Sequence, residues 1–95
     1  MVMNFKLVDG FNKRVPLRAI GEEYNFILNH WTEIKVTSIM ASKFANNKSL
    51  QQAAWGFYGL RRWIDNNIQG RWANTIHIFY FEDPADASYF LMRWA

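Results

Sequence analysis

The chain contains no cysteine. That absence excludes disulfides, thiolate catalysis and zinc sites built on Cys, and it fits a reducing compartment. Histidine is scarce: His30 and His77 are the two present, far apart in sequence, and neither belongs to a metal-spaced cluster. No apolar run approaches the ~20 residues of a membrane span. The N-terminal Met-Val-Met-Asn-Phe-Lys-Leu lacks the apolar core and small-residue cleavage site of a signal peptide. Neither a phosphate-binding loop nor a nucleophile elbow is spelled out. These absences predict a cytoplasmic protein that uses no cofactor and does not enter a membrane.

What is abundant is aromatic surface. Of the 95 residues, 51% are hydrophobic and 18% aromatic, with five tryptophans. The length suits one domain spanning residues 1–95, with a modest core. That much aromatic area predicts burial by a partner or by a second copy.

Residues 75–95 read as a strand that runs directly into a helix. Ile76, Ile78 and Tyr80 alternate with His77, Phe79 and Phe81, so both faces of the strand are greasy and both should be covered. Asp83 suits an N-cap, Pro84 the first helical position, and Asp86 places negative charge in the first turn. Ala87, Phe90, Leu91 and Trp94 form the buried side of that helix. Upstream, Val2 to Val8 reads as a strand and Asp9-Gly10 as a turn, with residues 11–15 either a loop or a return strand. Leu17, Ile20, Tyr24, Ile27, Leu28 and Trp31 recur at helical spacing behind Pro16. Ile34, Val36, Ser38 and Met40 alternate as a strand does, and Ala41 to Lys48 reads as a polar loop. Ser49 and Gln52 have capping-box spacing ahead of a stripe of Leu50, Ala53, Ala54, Phe57, Leu60, Ile64 and Ile68. Asn66-Asn67 and Gly70 should end that helix.

The order strand, helix, strand, helix, strand, helix predicts an α+β sandwich with helices packed on one face of a three- to four-stranded sheet. The Phe81-Glu82-Asp83-Pro84-Ala85-Asp86-Ala87 step resembles that of ferredoxin-like domains. The resemblance implies a ferredoxin-like or closely related fold. It extends to RNA-recognition domains, but Ile76 and Ile78 stand where their stacking rings would be. The segment from Gly70-Arg71-Trp72 to Phe90-Leu91-Met92-Arg93-Trp94 also resembles short uncharacterised proteins of marine phages and environmental sequence collections. That likeness covers the last quarter of the chain, implies a phage-like or environmental origin, and carries over no catalytic residue.

Gly56-Phe57-Tyr58-Gly59 matches the GXXG spelling of KH domains, yet it falls inside a helical pattern and reads as small-residue packing. Residues 35–71 hold Lys35, Lys43, Lys48, Arg61, Arg62 and Arg71 against Asp65 alone. This basic middle is either a solvated surface or a face for an acidic partner. Arg62 follows Tyr58 and Trp55 by one and two helical turns, an aromatic-basic face suited to phosphate, to stacked bases or to another protein.

Three functions follow from these residues. The first is a non-enzymatic, self-associating interaction or regulatory module, a homodimer using Trp55, Trp63, Ile76, Ile78 and Tyr80 to cover an open sheet face, unless residues 1–16 fold over that face instead. The second is a nucleic-acid-binding protein using Lys43, Lys48, Arg61, Arg62 and Arg71. The third is a small enzyme with a site between subunits, where His77 and Tyr80 would be tested first. No acid-base pair or cofactor motif supports the third.

Overall fold

A computed structural model describes residues 5–17, 21–46, 56–75 and 77–95. Helix α1 spans Glu22–His30, β1 Thr32–Lys35, α2 Ser38–Asn46, α3 Gly56–Asn67, β2 Trp72–Asn74, β3 Ile78–Phe81 and α4 Pro84–Trp94. The sheet among these residues has three strands in the order β1-β3-β2. Both pairings are antiparallel, with Ile34 opposite Phe79 and Trp72 opposite Phe81. The class is therefore α+β.

β3 is the central strand, and its alternation builds two cores. Phe79 and Phe81 face Ile34, Trp72, Leu60, Ile64, Ile68, Met40, Phe44, Phe90 and Trp94. Tyr80, with Ala73, faces Val15, Ile27 and Trp31, with Phe5, Leu17, Phe26 and Ile78 packed against them. Helices α2, α3 and α4 thus cover one side of the sheet, joined by Phe11, while α1 with Phe5, Val15 and Leu17 covers the other. This corrects the expectation of helices on a single face. An amphipathic stripe tells which side of a helix is buried, not which side of a sheet it lands on.

The N-terminal segment, residues 5–17, is best described as a strap. Its turn at Asp9-Gly10 is confirmed, with Gly10 at φ 85, a conformation natural to glycine. Val8 N–H donates to the Arg14 carbonyl at 2.7 Å across that turn. The strap then meets the edge of β2. Arg14 forms an isolated parallel bridge with Trp72, Val15 N–H donates to the Trp72 carbonyl at 2.8 Å, and Trp72 N–H donates to the Lys13 carbonyl at 3.0 Å. Of the strand expected over Val2–Val8, residues 5–8 are not in a strand, and residues 1–4 lie outside the described residues.

Other boundaries move for local reasons. Gly21, at φ 118, is the N-cap of α1, so the helix begins after it rather than at Pro16. The strand expected through Met40 stops at Lys35. Thr37 Oγ1 accepts from Met40 N–H at 3.2 Å, which caps α2 and turns the expected polar loop into helix to Asn46. Met40 and Phe44, four apart, are its buried residues. The capping pair Ser49 and Gln52 lies outside the described residues. α4 begins as expected: the Asp83 carboxylate accepts from Ala85 N–H at 2.9 Å. Leu91, expected in the core, is 41% exposed.

Arg71, before β2, and Glu82, after β3, close the hairpin end. Glu82 N–H donates to the Arg71 carbonyl at 3.0 Å. The guanidinium is bidentate on the carboxylate, with Nε to Oε1 at 2.9 Å and Nη2 on Oε2. The Arg71 hydrogen bond holds the Glu82 carboxyl below its ordinary range. A lowered folded-state value adds stability above the ordinary glutamate range, lost as pH falls through the lowered value. Both partners are about one-third exposed, so Glu82→Gln should cost about 0.5–1 kcal/mol at neutral pH. Urea titrations at neutral and acidic pH check this, and a Gln variant matching the wild type at neutral pH would count against it.

Candidate nucleic-acid interface

Arg61 and Arg62 lie on α3, whose inward residues Leu60 and Ile64 are fully buried, as is Ile68 just past its end. The helix presents Arg62 to the strap. Its guanidinium carbon stands 4.4 Å from the centroid of the Phe11 ring, and Nη1 donates to the Gly10 carbonyl. Arg14 reaches the same ring at 5.3 Å and the Trp72 ring at 5.7 Å. Phe11 in turn stands edge-on to Trp72, with centroids 5.8 Å apart and planes at 81°. Arg14 Nε donates to Asn74 Oδ1 at 3.0 Å, which orients its outer nitrogens. Burial, and then the charge of Arg61, pull the Arg14 guanidinium below its usual value; it remains a cation at any ordinary pH. Arg61 Nε is buried with no hydrogen-bond partner among the described residues.

The carboxylate nearest this group in sequence, Asp65, is committed elsewhere. Its oxygens accept from Asn12 N–H and Lys13 N–H, each at 2.8 Å, and from Trp72 Nε1 at 3.0 Å. Among the described residues, Arg14 and Arg61 form no ion pair. The result is a group in which Arg14 and Arg62 share one phenylalanine, with cation–π attraction offsetting part of their mutual repulsion. Guanidinium forks of this kind match phosphate oxygens two at a time.

The expected basic residues divide. Arg61 and Arg62 are brought together. Arg71 is engaged with Glu82 and lies over the Phe5 ring at 4.9 Å. Lys43 Nζ donates to the Ala95 carbonyl at 2.6 Å, joining α2 to the end of α4. Lys48 lies outside the described residues. Arg14 is the residue that sequence reasoning missed; it sits 47 and 48 positions before its companions, and no local pattern links them.

The expected self-association residues divide as well. Trp55 and Ile76 lie outside the described residues. Tyr80 is 3% exposed and Ile78 packs beside it, so the face expected to be open is filled by the strap and α1. Burial, then Glu33 and Tyr24, push the Tyr80 phenol up. Trp63 is half-buried and stacks on Tyr89, with centroids 5.7 Å apart and planes at 15°. His77, expected in the core, is exposed just before β3, with its carbonyl accepting from Val36 N–H. His30 Nδ1 lies 3.0 Å from the Phe26 carbonyl in the last turn of α1, where it satisfies the helix end.

Among the described residues, no group of three His, Cys, Asp or Glu could hold a metal ion, and no helix is long and apolar enough to cross a membrane. Comparison with family models, curated proteins and solved structures finds no match.

Proposed function

We propose that the protein is a non-enzymatic module that binds nucleic acid through phosphate contacts made by Arg14, Arg61 and Arg62. The observation that carries this reading is the meeting of Arg14 and Arg62 on the Phe11 ring, with Arg61 next to Arg62 and close enough for its charge to act on Arg14, and with the Arg14 and Arg61 charges left unneutralised among the described residues. Phe11 is occupied in holding guanidinium groups, so the face reads backbone charge rather than base identity. Three phosphate contacts to a single strand give a slope of about −2 in log affinity against log salt, or about a 20-fold loss between ~50 and ~200 mM. Arg61→Ala with Arg62→Ala should take about 1.4 out of that slope. Mobility shifts of labelled single-stranded DNA and RNA measure both quantities. No shift at micromolar protein and low salt would sink the proposal.

A second reading, self-association, draws on one further observation. Tyr89 and Met92 are 47% and 85% exposed on α4, and Trp63 stacks against Tyr89. An aromatic and thioether surface of this kind suits a two-fold contact with a second copy. Light scattering at low micromolar concentration should then give a dimer mass that Tyr89→Lys reduces to the monomer's, whereas a wild-type monomer would dispose of this reading.

A further inference from the structure

The arginine cluster is assembled from two distant pieces of chain. Arg61 and Arg62 belong to α3, whereas Gly10, Phe11 and Arg14 belong to the strap. The joint between them is Asp65, which is 1% exposed. Its carboxylate accepts the N–H groups of Asn12 and Lys13, the two residues between Phe11 and Arg14. Lys13 Nζ strengthens the joint by donating to the carbonyls of Asp65 at 2.7 Å and Ile68 at 2.6 Å. These are acceptors at the C-terminal end of α3 that the helix itself leaves unused. With Asp65 holding Asn12 and Lys13, Phe11 lies under the Arg62 guanidinium and Arg14 shares its ring.

One force works against that joint. Docking the strap buries part of Arg14 and brings it toward Arg61; burial first, and then that like charge, lower the proton affinity of Arg14. A phosphate group lying among the guanidiniums would remove that opposition. Strap docking therefore creates the anion site, and an anion in the site favours the docked strap.

We propose that the Asp65 joint is the control point of the binding face: anion binding by Arg14, Arg61 and Arg62 and docking of residues 10–15 are reciprocally coupled. This rests on the nucleic-acid reading above. Thermodynamic reciprocity requires that whatever loosens the strap weakens the ligand, and that the ligand tightens the strap by the same factor.

The test uses the full chain and a fluorescently labelled oligodeoxythymidylate. With the wild type, hydrogen exchange at the Asn12, Lys13 and Val15 amides should slow by about fivefold or more at saturation. The Val36 amide, bonded to His77 across the far edge of the sheet, should not change. With Asp65→Asn, the oligonucleotide should bind about fivefold or more weakly. Simple electrostatics predicts the opposite sign, because the variant removes a negative charge beside an anion site. If the wild type binds but its strap amides do not slow, the coupling is overturned while the binding face stands. The same holds if Asp65→Asn folds and binds as tightly as the wild type. If Asp65→Asn does not fold, exchange in the wild type decides alone. No binding by the wild type overturns the face and the coupling together.

Discussion

Phe79→Ala should lower the unfolding free energy by about 3–5 kcal/mol. Phe79 is fully buried at the middle of β3, opposite Ile34 on β1 and Asn74 on β2. Its ring stands 5.7 Å from that of Phe90 and 6.3 Å from that of Trp72. Truncation therefore leaves a void bounded by both neighbouring strands and by α4, and no single element can move in to fill it without breaking the sheet register. A domain of this size has only about 5–15 kcal/mol in total. The urea midpoint should fall by roughly 2 M or more. A midpoint close to the wild type's would show that Phe79 is not a core residue.

The second large effect is expected at Asp65. Asp65→Ala removes the acceptor for three donors and should cost about 3 kcal/mol. The Trp72 indole N–H is the most costly to orphan, because Trp72 is fully buried. The Asn12 and Lys13 amides are partly buried, so water can recover part of their loss. The melting temperature should drop by roughly 10–20 °C. Asp65→Asn, which keeps one side-chain carbonyl oxygen, should fall between the two. An alanine variant as stable as the wild type would mean that the carboxylate does not hold the strap.

How much of this could be read from the chain depended on the range of the interaction. Asp83-Pro84 and the stripe of Ala87, Phe90 and Trp94 define α4 within a dozen residues, and the structure agrees. The two greasy faces of residues 76–81 indicate a doubly covered strand; the observed strand is Ile78–Phe81, and it is central, while His77 lies exposed before it. β2 was not foreseen: Trp72-Ala73-Asn74 is too short for any period to show. Residues 34–40 alternate as a strand would, but Thr37 offers a cap and Met40 pairs with Phe44 at helical spacing, so the helix prevails. A cover by the N-terminal residues is one of two outcomes the greasy second face allows, but the part α1 plays in it, and the meeting of Arg14 with Arg62 on Phe11, depend on contacts between residues tens of positions apart. Local pattern carries no information about those partners. Asp65 illustrates the point: in sequence it is one acidic residue in a basic helix, whereas in the fold it joins the helix to the strap and to β2.

The two outer strands are guarded against unwanted pairing by different means. β1 is four residues long and carries exposed Glu33 and Lys35, a charged border that discourages another strand from adding to it. β2 has no such charges, and the outward N–H and carbonyl of Trp72 are satisfied by Lys13 and Val15. The strap is thus also a seal. Undocking it would bare the backbone of Trp72 as a template for a neighbouring chain and uncover the apolar surface beneath Val15 at the same moment. Resistance to aggregation at that border is therefore vested in a handful of hydrogen bonds to a segment outside the sheet, and a protease that cuts the strap would remove it without touching a single strand.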